Sequence, residues 1–337
     1  MNIQEYSVAL ATSLESNKNP AAVAREVGTS QSTSSRFLKK LDLTDRDFIP
    51  FVRHMFGSKK LNLVVDDGVI SKRYSEEIEG VSSMVDQSTK TFTNGYKIVV
   101  AGLTDGKYFL PIAIEQWIAE FIMQKDYLRT TQLAEKLISR ILELGISIEY
   151  FVMDGLYFSI EFIKFLDDKR LNFIIKAKTT TSVIYKGKKM QLQDCPDLRL
   201  NSNQNQKKIV ANWNGQKWYF IAVRRSGKRG PRIIYLIANF NTKSRLYAKI
   251  YDSRWKIEKF FRTGKQSLGL SSSFSLEAKI YLNHMKCVFF AYCLLQLLMK
   301  KLKLNSIEDA IRKARSLKYN FGFAQTTDRI SLLENYA

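Results

Sequence analysis

The sequence predicts an α/β protein: a mixed sheet with helices, interrupted by a β-rich insertion and preceded by a small helical domain. Three observations lead there. Short apolar runs of strand length (LNLVV, YKIVVAGL, KYFLPIAI, SIEYFVM, LNFIIKAK) are separated by helix-length amphipathic segments. Two of those runs, the first and the fourth, end in aspartate, at Asp66-Asp67 and at Asp154. A third acid, Glu258, lies in a segment from Ile250 to Leu270 that reads as one amphipathic helix.

Taken in order, residues 1–58 read as compact helices. Asn19 before Pro20 is a helix start, Gly28 permits a sharp turn, and Ser30 can cap the helix that follows. Val23, Val27, Phe37 and Leu38 supply contacts between the two helices. The core is expected over residues 59–176 and 246–303, with the insertion at 177–245 and a C-terminal helix and tail at 304–337. The first strand spans Leu61 to Val65 and stops at the two aspartates, where a strand end beside a crevice can hold a cation. An Asp-Gly turn without chemistry has the same local pattern.

Thr104-Asp105-Gly106 joins two apolar runs as a hairpin. Asp126 to Gly145 reads as a helix whose apolar face is Leu128, Leu133, Leu137, Ile141 and Leu142. SIEFIKFLDD is a helix. The resulting order is strand, strand, strand, helix, strand, helix, strand. In the insertion, alternating strands carry Lys207, Lys208, Lys217, Arg224, Arg225, Lys228, Arg229 and Arg232 among Trp213, Trp218 and Tyr219. Basic and aromatic side chains together suit a nucleic-acid backbone and its bases. Beyond it, a helix is expected from Leu276 to Leu302 and another from Ile307 to Leu317, then a polar tail.

Lys and Arg number 53 against 32 Asp and Glu, a formal net charge of +21. That excess favours a polyanionic partner, nucleic acid before an anionic membrane surface. The longest apolar stretch, Cys287 to Met299, is shorter than the roughly 20 residues of a membrane span, so we expect a buried helix and no membrane. No export signal is visible at the N-terminus, and the expected location is the cytoplasm. Cys195, Cys287 and Cys293 have no paired spacing, and His54 and His284 are the two histidines. A zinc site or disulfide framework is therefore not expected, and a catalytic metal would be held by carboxylates.

On the Glu258 segment, Ile250, Ile257, Phe261 and Leu268 form an apolar stripe, with Tyr251, Arg254, Glu258 and Lys265 about 60° round from it. Lys256, Lys259 and Arg262 point outward. Read plainly, Arg254 and Glu258 are an i, i+4 pair worth a few tenths of a kcal/mol. Their spacing with Tyr251 and Lys265, Y-x2-R-x3-E-x6-K, also resembles the signature of the insertion-sequence-4 family of DDE transposases, matching at all four positions. Val23 to Leu38 resembles the helix-turn-helix of bacterial repressors.

These resemblances carry specific expectations. The core is expected to be ribonuclease-H-like. The catalytic, metal-binding acids are expected to be Asp67, Asp154 and Glu258, with Asp66 as the alternative to Asp67; the family's acid usually stands directly before a glycine or threonine, which favours Asp67, while the repeated aspartate leaves the register open. Tyr251, Arg254 and Lys265 are expected to clamp DNA phosphates. Trp213 or Trp218 is expected to stack on a flipped base. Gln31, Ser32, Ser35 and Arg36 are expected to face bases in the major groove, with Lys39 and Lys40 on phosphates.

The activity implied is cut-and-paste transposition with Mg²⁺, for which Mn²⁺ can substitute. Two chains would act as a homodimer on double-stranded DNA, joining terminal inverted repeats to target DNA. Two ions about 4 Å apart activate water and neutralise the leaving 3′ oxygen. The competing readings are a metal-dependent nuclease of the same fold and a sequence-specific DNA-binding regulator whose acids are structural.

Overall fold

The computed structural model describes residues 1–73, 75, 77–86, 90–227 and 230–335, with the side chains of 121 and 332–335 set aside. Lys228 and Arg229 lie outside the described residues. Four helices open the chain: α1 (Ile3–Thr12), α2 (Pro20–Val27), α3 (Gln31–Lys40) and α4 (Ile49–Phe56). The core follows as β1 (Leu61–Ser71), β2 (Ser82–Asp86), β3 (Thr91–Thr104), β4 (Phe109–Trp117), α5 (Glu120–Met123), α6 (Thr130–Leu142), β5 (Ile148–Met153), α7 (Ile160–Asp168) and β6 (Phe173–Ala177). Then come β7 (Ser182–Tyr185), β8 (Lys188–Gln191), β9 (Gln206–Trp213), β10 (Gln216–Arg225) and β11 (Arg232–Ala238). Four helices close it: α8 (Ser244–Asp252), α9 (Trp255–Ser267), α10 (Ala278–Lys301) and α11 (Ile307–Asn335).

One sheet of eleven strands runs through the molecule in the order β2-β3-β1-β5-β6-β11-β10-β9-β7-β8, with β4 on the outer edge of β3. Among the described residues, only β1/β5 and β5/β6 pair in parallel. These central strands are continuous apolar runs because helices cover both their faces. β1 does not end at Val65 as the sequence suggested. β3 pairs with it as far as Ser71, so backbone partners exist well past the aspartates. The insertion is likewise no separate module: β11 pairs with β6 from Tyr235↔Ala177 to Ala238↔Ile174, extending the core sheet.

Other departures have local causes. The helix expected from Asp126 begins at Thr130, and Leu128 is exposed rather than on its apolar face. Gly145, at φ +68, stops the chain after that helix as expected. The polar segment after Leu317 is helical: α11 continues through a break at Gly322 and buries Thr326 and Ile330.

In the N-terminal helices the local signals hold. Asn19 accepts from Ala22 N with Pro20 at the first helical position, Gly28 is left-handed at φ 77, and Ser30 caps α3 through Thr33 N. These helices do not stand apart from the core. α10 is long and apolar enough to cross a membrane, yet 89% of its apolar window is buried inside this fold. It is the post against which they dock. Tyr6 Oη and His284 Nδ1 are 2.8 Å apart, and Asn283 Nδ2 donates to the carbonyls of Leu38 and Leu41. Burial pushes the His284 pKa down to about 4, so its ring is neutral and bridges Tyr6 to the Gly269 carbonyl.

Tyr6→Phe leaves a buried imidazole nitrogen without its partner. Chemical denaturation should show a loss of about 1–3 kcal/mol in one cooperative transition for the whole chain. A separate early transition confined to the first four helices would contradict the single core.

Candidate active site

β1 and β5 run side by side until Val65↔Met153, and the next residues of each strand carry acids. Side chains alternate across a strand, so Asp66 and Asp67 point to opposite faces. Gly68 shares the Asp66 face, where a Cβ would come within 3.0 Å of the Phe261 ring. The glycine thus lets α9 lie close on β1, and the α9 face of the sheet is the Asp66 face.

The segment read as one helix is two. Between α8 and α9, Ser253 N, Arg254 N, Lys256 N and Ile257 N all donate three residues back instead of four. Ser253 Oγ donates to the Ile250 carbonyl and accepts, at 3.4 Å, from Asn62 Nδ2 on β1. This tightened turn is tied to the start of β1, and from it the Arg254 side chain reaches the acids further along the strand.

There the Arg254 guanidinium gathers three acids from three elements. Its distances are 2.5 Å to Glu258 Oε1, 3.1 Å to Asp66 Oδ2 and 3.7 Å to Asp154 Oδ2. Arg254 is 9% exposed, and its Nε has no partner among the described residues. Asp154 also caps the turn after β5 by accepting from Gly155 N. Asp67 stands apart on the other face, 3.4 Å from Lys97 Nζ. Burial, reinforced by Asp67 and Asp154 and opposed by Arg254, pushes the Asp66 pKa up to about 7. Burial raises that of Asp67 as well, against the pull of Lys97.

The remaining sequence-predicted residues divide between those near the acids and those away from them. Tyr251 is buried at the crevice, its ring centre 5.8 Å from the Arg254 guanidinium carbon. Lys265 is exposed and donates to the Val69 carbonyl on β1. Lys259 and Arg262 point outward, whereas Lys256 is half-buried and holds the β3–β4 turn through the Lys107 carbonyl.

Trp213 and Trp218 are not beside the acids. The register Ile209↔Phe220↔Ile237↔Ile175↔Met153↔Val65 puts both on the Val65 face, opposite Asp66. Trp218 is 4% exposed and donates to the Trp213 carbonyl, while Trp213 stacks on Phe158 at 4.9 Å. Sequence reasoning passed over Trp255, which is 48% exposed in the first turn of α9 and 5.6 Å from the Arg254 guanidinium carbon. Its place directly after the arginine was the available signal.

On α3, Gln31, Ser32 and Arg36 are exposed and Ser35 half-buried; Lys40 is exposed and Lys39 pairs with Glu277 at 2.9 Å.

Carboxylate oxygens are the donors a hard divalent cation takes, and three of them already converge on one cationic group. Among the described residues no three such groups stand close enough to share an ion as they are, because the guanidinium lies between them. Asp66, Asp154 and Glu258 therefore fit a divalent metal in chemistry and convergence, with the charge of Arg254 in its place.

The molecule is thus an α/β protein with a three-carboxylate crevice at the ends of its parallel strands. The transposase DDE domain family matches residues 87–294, and the chain belongs to that family. It is a transposase and acts on DNA. Asp154 and Glu258 lie within the matched span; Asp66 and Asp67 precede it. A search of curated proteins finds no match.

The raised pKa of Asp66 sets a pH dependence. The folded state binds this proton more tightly than the unfolded chain, so the stability it contributes is present at low pH and is lost as pH rises from about 4 to about 7. Denaturation of the metal-free protein at pH 4 and pH 8 should show wild type losing roughly 1–4 kcal/mol relative to Asp66→Asn over that interval. Parallel pH curves would contradict the shift.

Proposed function

We propose that this chain is a cut-and-paste transposase of the insertion-sequence-4 type, with Asp66, Asp154 and Glu258 as its metal-binding acids. The observation that carries the reading is their meeting on Arg254 from two strands and a helix. Asp66 replaces Asp67 as the first acid because it shares a face with the other two. The sheet supports a ribonuclease-H-like core. With the short β2 set aside, the first acid lies on the first strand and the second follows the fourth, among three antiparallel and two further parallel strands.

Asp66, Asp154 and Glu258 would hold Mg²⁺, or Mn²⁺ in its place, which would supply a lowered pKa for the attacking water and a countercharge for the leaving 3′ oxygen. The chain's own residues supply the rest. Asp66 and Asp154 are fixed by strand pairing, and Glu258 by the packing of α9 on β1, so the carboxylates need little reorganisation. Arg254 and Lys265 bind phosphates flanking the scissile bond, the first able to do so bidentately and the second as a point charge.

Tyr251 lies buried and backs Arg254. Trp255, not Trp213 or Trp218, is the accessible ring beside the acids and is available to stack on an unpaired base. α3 reads the duplex with Gln31, Ser32, Ser35 and Arg36, and Lys40 meets phosphate. Two chains bring together two terminal repeats, and the freed 3′-OH is joined to target DNA.

The test uses labelled duplex from the flanks of the chain's own gene with Mg²⁺. Wild type should cleave at a fixed flank position. Asp66→Asn, Asp154→Asn and Glu258→Gln should each lose far more than ~100-fold, whereas Asp67→Asn should lose no more than the ~10–100-fold typical of a supporting residue. Cleavage surviving in Asp66→Asn but not in Asp67→Asn would restore Asp67. Cutting without joining of the 3′ end to a target would turn the reading to a nuclease.

A further inference from the structure

Resting on the metal-binding reading of the three acids, we infer that Arg254, which already pairs with all three, holds the cation position of the crevice and leaves it for a DNA phosphate when metal binds. Arg254 is thereby a positioning residue for the acids as well as a phosphate ligand.

Three carboxylates brought to one crevice repel one another, and the Asp66 side chain in particular is only 13% exposed. Among the described residues, no Lys or Arg other than Arg254 makes an ion pair with any of the three. Lys97 answers Asp67 on the far face instead. The guanidinium therefore keeps the acids converged before any ligand arrives.

The same contacts make Arg254 a competitor for a metal. A divalent ion and a guanidinium repel, and both take the same carboxylate oxygens: Asp66 Oδ2, Asp154 Oδ2 and Glu258 Oε1. The site can hold one of the two at that point. The side chains of Glu258 and Asp154 are about one-third exposed, against 11% for Arg254, so the open side of the crevice is the acid side.

Released, Arg254 has its donors free and stands beside the acids, where a phosphate held by the metal would present its oxygens. Its Nε already has no partner among the described residues. Metal binding and phosphate binding are then coupled through one side chain, and the coupling is reciprocal. Without metal the arginine is withheld from DNA; without DNA it resists the metal.

The experiment measures Mn²⁺ binding to the full, DNA-free chain by isothermal titration. Arg254→Gln keeps length and polarity but removes the charge. It should bind Mn²⁺ about tenfold more tightly than wild type. Its thermal midpoint should fall without metal, as the acids repel, and recover when Mn²⁺ is added. Wild type should gain Mn²⁺ affinity on adding duplex DNA by a larger factor than Arg254→Gln does.

Mn²⁺ binding that is unchanged or weaker in Arg254→Gln would overturn the inference. Arg254→Lys, which retains a charge but cannot bridge three acids, should fall between the two and serves if the glutamine variant does not fold; equality with wild type then overturns it. Asp66→Asn and Glu258→Gln should lose Mn²⁺ binding. If they retain it, the metal-site reading itself fails, whatever Arg254 does.

Discussion

The constraint on which the site depends is the need to hold like charges together in a half-buried crevice. Two carboxylates come from adjacent parallel strands and one from a helix crossing them, and each alone would favour solvent or a proton. Asp66, pushed up to about 7 by burial, shows the direction of that cost. A planar guanidinium with several donors can answer all three at once, which a lysine ammonium on a flexible stem does less well. Arg254 reaches them because the helix tightens into a turn at Ser253, so the residue that reads as one member of an i, i+4 pair becomes the centre of a four-residue cluster.

Holding that geometry is a task shared by the whole chain. Gly68 lets Phe261 of α9 settle on β1. Lys72, at the far end of β1, is buried and donates to the Ser271 and Ser273 carbonyls, fastening the loop after α9 to the strand that carries Asp66. Burial lowers its pKa to about 8. α10 then joins this layer to the N-terminal helices through His284 and Asn283. The helices expected to read DNA are thus mechanically continuous with the helix layer that carries Glu258, rather than tethered by a linker.

Charge is distributed to match. The three acids gathered on Arg254 face one crevice, and the insertion adds Arg225 and Arg232 at the β10–β11 turn, on the same face of the sheet. Arg225 is held there by Asp252 at 2.6 Å, just before the Arg254 turn. A polyanion approaching the crevice therefore meets cations supplied by the insertion and by the exposed side of α9, Lys259, Arg262 and Lys265.

Local patterns determined a good deal by themselves. Asn19, Gly28 and Ser30 set the ends of α2 and α3, Asp105-Gly106 set the β3–β4 turn, and an apolar run set β5 with Asp154 just beyond it, because each depends on backbone geometry within a few residues. The spacing of Tyr251, Arg254, Glu258 and Lys265 was legible for the same reason. What tertiary structure decided were matters of facing. Period-two alternation says that Asp66 and Asp67 point apart, but only the seating of α9 over Gly68 says which one meets Glu258. The same pattern could not tell that Trp213 and Trp218 lie across the sheet from the acids, since that follows from register summed over six strands. The continuation of β1 past its aspartates, the merging of the insertion with the core sheet and the helix after Leu317 all rest on partners distant in sequence, which no local pattern encodes.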